Sequence, residues 1–156
     1  MSKKAQEIIS EVKKVIVGKD NVISKVLMAL LARGHVLLED VPGVGKTTLA
    51  LSFSRTLNLD YQRIQCTPDT TPSDIIGYSY YRKGEDDLVY NPGVVMTNLL
   101  LADEINRTSS KTQSALLEVM EEGNVTVDGV TRALPEPFAV IATQNPFGSA
   151  GTQLLP

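Results

Sequence analysis

Asp40-Val41-Pro42-Gly43-Val44-Gly45-Lys46-Thr47 is the stretch on which the fold turns. It fits the phosphate-loop pattern G-x-x-x-x-G-K-[ST] at every defined position but the first, where Asp40 stands in place of glycine. Without a Cβ, Gly43 and Gly45 let the backbone take unusual angles and bring its N–H groups close to phosphate oxygens. Context supports the pattern: the short apolar run His35-Val36-Leu37-Leu38 leads in, and a helical stretch from about Thr47 to Leu57 leads out. That is the strand–loop–helix order of an α/β unit, and the N-terminus of such a helix favours an anion. The candidate cradle is therefore Pro42, Gly43, Val44, Gly45, Lys46, Thr47 and Thr48, with the Lys46 ammonium on the β- and γ-phosphates and the Thr47 hydroxyl on Mg²⁺. Asp40 keeps the turn possible because Asp tolerates left-handed backbone, but its carboxylate has to face away from a polyphosphate. A Gly-rich turn with a surface lysine is the plain alternative, and it does not account for the flanking strand and helix.

Leu99-Leu100-Leu101-Ala102-Asp103-Glu104 is an apolar strand ending in two carboxylates, with Asp103 lying 57 positions after Lys46. A wholly apolar strand bounded by polar residues suits the centre of a parallel sheet covered on both faces. Ligands gather at the C-terminal ends of such strands, so Asp103 is placed to hold the metal that Thr47 also binds, and Glu104 to polarise an attacking water. Alone, an acidic strand end is a weak signal. Beside the phosphate loop it becomes a specific one. Asn145, just beyond an expected strand Phe138–Ala142, is a third polar residue at a strand tip, able to orient water or a γ-phosphate oxygen, although Asn145-Pro146 also reads as an ordinary turn.

Working outward, two helices are expected at the start. One carries apolar Ile8, Ile9, Val12, Val15 and Ile16, the other Val22, Ile23, Val26, Leu27 and Leu30, with Gly18 between them, Asp20 as cap and Gly34 as stop. A second strand is expected at Tyr61–Gln65, followed by a loop from Thr67 to Pro72, and a hairpin over Tyr78–Tyr90 with its turn at Arg82–Asp87. Ser109 or Ser110 caps a helix with Leu116, Val119 and Met120 on its apolar face and Gly123 at its end. Asp128-Gly129 between Val125-Thr126-Val127 and Val130-Thr131-Arg132 signals a two-residue type I′ hairpin.

Composition bounds the class. With 156 residues, 42% hydrophobic and a net charge of −3, the chain fits one globular domain rather than a disordered chain. A single cysteine, Cys66, excludes an internal disulfide. The longest apolar run, Val26 to Ala32, falls far short of the ~18 residues of a membrane span, and Glu7 and Glu11 interrupt anything like a signal peptide. A soluble, cytoplasmic protein is expected. Residues 1–34 carry seven Lys/Arg against three Asp/Glu, but no aromatic residues interleave, so a nucleic-acid patch is not expected. His35 and Cys66 lack the partners of a metal site and read as structural residues. The acidic run Glu85-Asp86-Asp87 reads as a solvated hairpin tip, and Tyr78 and Tyr80 alternate as packed strand residues do.

Together these segments resemble the AAA+ ATPases, and more closely the MoxR family within them. The resemblance runs through Gly34-His35-Val36-Leu37-Leu38-Glu39, Thr67-Pro68-Asp69, Pro72-Ser73-Asp74-Ile75, Leu101 to Arg107, Lys111 to Glu118, and Ala142-Thr143-Gln144-Asn145-Pro146. It implies a three-layer αβα P-loop NTPase fold, an AAA+ core with a central, mostly parallel sheet and inserted β-hairpins. It implies ATP with Mg²⁺, a ring homo-oligomer, and chaperone-like remodelling of client proteins such as those with von Willebrand factor A-type domains. By position, Lys46 and Thr47 match the Walker A residues, Asp103 and Glu104 the Walker B residues, and Asn145 the first sensor. Ile16-Val17-Gly18 matches the stretch lying against adenine, which makes Val17 and Gly18 candidate base contacts. Arg107 also matches, with an interface, a structural ion pair or catalysis as open roles. Past Gly151-Thr152 the family continues into an arginine finger, a fifth strand and a helical lid, so residues 1–156 are expected to form one nucleotide-binding domain, incomplete at its C-terminus. Such an arginine is worth ~10³–10⁵ in rate in related phosphoryl transfer, and a chain without it is expected to be a monomer or weak oligomer that turns over slowly. A nucleotide-gated binding module with little turnover is the alternative.

Overall fold

A computed structural model describes residues 2–16, 18–39 and 45–144. In chain order the elements begin with helices α1 (Lys3–Lys13) and α2 (Asp20–Leu31), strand β1 (Val36–Glu39), helix α3 (Lys46–Thr56) and strand β2 (Tyr61–Gln65). A short α4 (Pro72–Ile76) precedes strands β3 (Gly77–Tyr81), β4 (Leu88–Pro92) and β5 (Leu99–Asp103). A 3₁₀ turn (Ile105–Arg107), α5 (Ser110–Glu122), β6 (Asn124–Val127), β7 (Val130–Ala133) and β8 (Ala139–Gln144) complete it. Four strands form one parallel sheet in the order β1-β8-β5-β2, while β3–β4 and β6–β7 are separate antiparallel hairpins.

The three layers follow from the period-2 alternation of the inner strands. Leu99 and Leu101 of β5 and Ala139 and Ile141 of β8 pack beneath α1, α2 and α3, against Ile9, Val12, Ile23, Leu27 and Phe53. Their neighbours Leu100, Ala102, Val140 and Ala142 face the other way, against Ile75 of α4 and Leu116 and Val119 of α5. β5 therefore has no polar side until Asp103.

Local signals account for most element ends. Ser109 caps α5, its hydroxyl accepting the Thr112 N–H, and Gly123 ends that helix in left-handed geometry at φ 72°. Asp128 and Gly129 take φ 50° and 76°, the two positive values a type I′ turn requires. Five expectations are corrected. Val15 lies past the end of α1 and is 60% exposed, because α1 stops at Lys13 and only Ile16 turns back into the core. Asp20 is the first residue of α2 rather than its cap, and its carboxylate pairs with Lys13 at 3.3 Å. The loop expected at Thr67–Pro72 leads into α4, which opens with a capping box between Thr71 and Asp74 and with Pro72 in its first turn. The final strand begins one residue later than expected and runs to Gln144. Tyr78 and Tyr80 do share a face, their rings 6.3 Å apart, but that face is exposed rather than packed.

His35 is structural. The Val140 N–H donates to Nδ1 at 2.9 Å, which leaves the proton on Nε2 to donate to the Met120 carbonyl at 3.2 Å. Burial lowers its pKa below the ordinary 6.5, against a smaller opposite effect of the Met120 bond. The neutral imidazole is thus the folded form. Its stabilising contribution is complete above the unfolded value of 6.5 and is lost as pH falls through that value toward the lower folded one. The melting temperature is expected to drop between about pH 7.5 and 5.5, and to drop less in His35→Gln; equal pH slopes in thermal unfolding refute this.

Candidate active site

The register sets the tips of three strands side by side: Gln65 of β2 opposes Asp103 of β5, and Ala102 opposes Ala142 of β8. Side chains leaving these tips meet in one place. Asp103 sits at the centre, its Oδ1 accepting the Thr143 hydroxyl at 2.5 Å and its Oδ2 accepting Arg63 Nη2 at 2.9 Å. Burial alone pushes the Asp103 pKa up, but the bonds from Thr143 and Arg63 and the charges of Arg63 and Lys46 outweigh it, so the carboxyl lies below the usual range. Asp103 is a carboxylate at neutral pH. Cys66, buried beside it, donates its backbone N–H to the Asp103 carbonyl at 2.8 Å. Its thiol is pushed up to about 11 by burial and by the charges of Asp103 and Glu104, which makes it a poor nucleophile.

Glu104 leaves the strand in left-handed geometry, φ 55° and ψ 50°, a conformation that costs a non-glycine residue roughly 1–3 kcal/mol unless its surroundings fix it. Those surroundings are present. Its N–H donates to Thr143 Oγ1 at 2.9 Å, and its Oε2 accepts Gln65 Nε2 at 2.7 Å and lies 3.5 Å from Arg107 Nη1. Arg107 thus forms an ion pair with Glu104, one of the three roles left open for it. The 3₁₀ turn that carries Arg107 is pinned from below by Gln113, fully buried in α5, whose Nε2 donates to the carbonyls of Ile105 at 3.2 Å and Thr108 at 3.1 Å. Gln113→Leu removes both of these bonds, leaving the Ile105 carbonyl with the Thr108 N–H at 3.4 Å, and a loss of about 1–3 kcal/mol in denaturant unfolding is expected; an unchanged midpoint counts against the anchor.

On the phosphate side, Gly45 caps α3 in left-handed geometry at φ 61°, and a Cβ placed there meets no atom of the described residues within 4 Å. Glycine takes such a positive φ without steric cost. Lys46 is the first residue of α3, Thr47 is half-buried and Thr48 is exposed. A cavity of about 410 Å³ adjoins them, with Gly45 and Lys46 in its wall beside apolar Ile16, Val22, Leu38 and Leu49. Gly18 is exposed, with φ 80°, between Ile16 and Lys19, which both line that cavity. Asp40, Val17, Pro42, Gly43, Val44 and Asn145 lie outside the described residues.

A hydroxyl at Thr47 and an ionised carboxylate at Asp103 are the hard oxygen donors that Mg²⁺ takes beside phosphate oxygens, so this donor set fits the metal. Three residues of the site went unread in the sequence: Arg63, Gln65 and Thr143. Their only signal is position, since 63 and 65 alternate on a strand whose pairing with β5 a single sequence does not reveal.

Three comparisons bear on this geometry. Residues 35–156 match the family model described as ATPase family associated with various cellular activities (AAA). The chain is 55% identical over 148 residues to protein YeaC of Bacillus subtilis, covering 95% of this chain and 46% of that one. It is 51% identical over 148 residues to chaperone MoxR1 of Mycobacterium tuberculosis, covering 95% of this chain and 39% of that one. A crystal structure from Cytophaga hutchinsonii superposes with a TM-score of 0.85 at 46% identity, covering 98% of this chain and 46% of that one. The chain thus spans less than half the length of these relatives.

Proposed function

We propose, on the premise that this chain belongs to the AAA family of ATPases and within it to the MoxR group, that it binds ATP with Mg²⁺ and hydrolyses the β–γ bond. The observation that carries the proposal is the ionised Asp103 carboxylate, held at the tip of a central strand within the field of Lys46 and directly followed by Glu104. Lys46 neutralises charge on the β- and γ-phosphates, and the backbone N–H groups of Gly45 and the start of α3 cradle them with Pro42, Gly43 and Val44. Thr47 and Asp103 would hold Mg²⁺, which when bound would neutralise the charge that develops on the transferring phosphoryl group. Glu104 accepts the proton of the attacking water, Asn145 orients that water or the γ-phosphate, and Ile16, Val17 and Gly18 wall the base. Gln65 Nε2 and Arg107 Nη1 both meet Glu104 at Oε2, and a carboxylate has further lone pairs with which to accept from water.

The chain is the nucleotide-binding core of a longer, ring-forming cytoplasmic protein that remodels a partner, with no nucleic-acid substrate. The relative named as a chaperone supports that reading. Phosphate release measured with Mg-ATP and with Mg²⁺ withheld tests it; hydrolysis dependent on the metal is expected, and its absence in the full gene product refutes it. The engagement of Glu104 by two side chains favours a second reading for the core alone, a nucleotide-gated module with measurable affinity and little turnover.

A further inference from the structure

Thr143 carries no assigned role in the reading above, yet its hydroxyl joins the two acidic residues. It is 1% exposed, donates to Asp103 Oδ1 at 2.5 Å and accepts the Glu104 N–H at 2.9 Å. A hydroxyl has one proton, and here the donor direction is set: the carboxylate can only accept and the N–H can only donate. The two bonds therefore run in one direction, from the Glu104 amide through Thr143 Oγ1 to Asp103.

We propose that the Thr143 hydroxyl is a positioning group that locks the left-handed backbone of Glu104 to the Asp103 carboxylate and so fixes where the Glu104 side chain starts. Three facts combine. Glu104 holds an unfavourable φ of 55°, which persists only if its surroundings over-determine it. Its amide sits just past the β5 ladder, and Thr143 Oγ1 is its acceptor. Threonine on a strand has a stiff χ1, so the hydroxyl is presented with little entropy cost, and its methyl group stays in the core. Thr143 reaches the reaction only through Glu104 and Asp103, so its loss lowers turnover while leaving the phosphate grip of Lys46 intact.

This inference rests on the ATPase reading, and its test separates the two. In the full gene product, Thr143→Val keeps the shape and removes the hydroxyl, whereas Thr143→Ser keeps the hydroxyl and removes the methyl. Val is expected to lower kcat about 10–100-fold, the usual cost of losing a group that orients a reacting residue, with ATP affinity changed less than about 2-fold. Ser is expected to restore most of the rate. Amide hydrogen exchange gives a readout that no hydrolysis measurement affects: the Glu104 N–H is protected in the parent and in Ser, and exchanges faster in Val. A Val variant with parental kcat, a Ser variant as slow as Val, or a Glu104 amide still protected in Val overturns the lock. If the parent itself fails to hydrolyse ATP, the ATPase reading falls, and the exchange rates alone decide whether Thr143 holds Glu104.

Discussion

With glutamine in place of glutamate at position 104, the protein is expected to bind ATP as before and to release phosphate about 10²–10⁴ times more slowly, the range spanned by positioned acid–base groups. The structure makes this substitution clean. Glutamine keeps the length and shape of the side chain, and its amide oxygen can still accept from Gln65 Nε2, the bond that spans 2.7 Å in the parent. The Thr143 bond to the backbone N–H is independent of the side chain. What is lost is the charge opposite Arg107 and the ability to take a proton. That ion pair is between half-exposed groups and adds at most about 1 kcal/mol, so the fold survives. Single-turnover phosphate release measured beside nucleotide affinity checks the prediction; unchanged cleavage removes Glu104 from the proton-accepting role.

Lys46→Ala acts at the other end of the site. Its ammonium is the one side-chain cation at the head of α3, and hydrogen bonds to charged groups contribute about 1.5–3 kcal/mol, so ATP affinity is expected to fall about 10–150-fold. The helix itself is not at risk, because alanine is a better helix former than lysine and Gly45 still sets the entry angle. Titration with a fluorescent ATP analogue reads the change. Parental affinity in the variant would place the phosphates elsewhere. The two substitutions therefore separate grip from chemistry: one weakens binding and the other leaves it.

Most of the fold is legible in the residue order because its signals are local. The run Leu99-Leu100-Leu101-Ala102 states a strand buried on both faces, and it lies between β8 and β2 with both faces covered. Asp128-Gly129 states its own turn. The misread elements are those where local and distant effects compete. Val15 keeps the helical spacing of Ile8 and Val12, but it is 60% exposed, and the helix ends first. Thr71-Pro72-Ser73-Asp74 contains a readable capping box, yet five residues are too few for a hydrophobic period to show. In the site, the residues with motif spacing were legible and their partners were not. Arg63 meets Asp103 across 40 positions of chain, as does Thr143, and no pattern within one strand announces a neighbour chosen by sheet order.

That order has a further consequence. Odd and even positions of β5 and β8 serve different cores, one under α1, α2 and α3, the last of which begins at Lys46, the other under α5 and α4, which leads into the β3–β4 hairpin. Substitutions on opposite faces that lie more than about 7–10 Å apart touch different neighbours, so their effects on stability are expected to add. The side that carries Lys46 and the side that leads to the exposed tyrosines are thus built on opposite faces of the same strands.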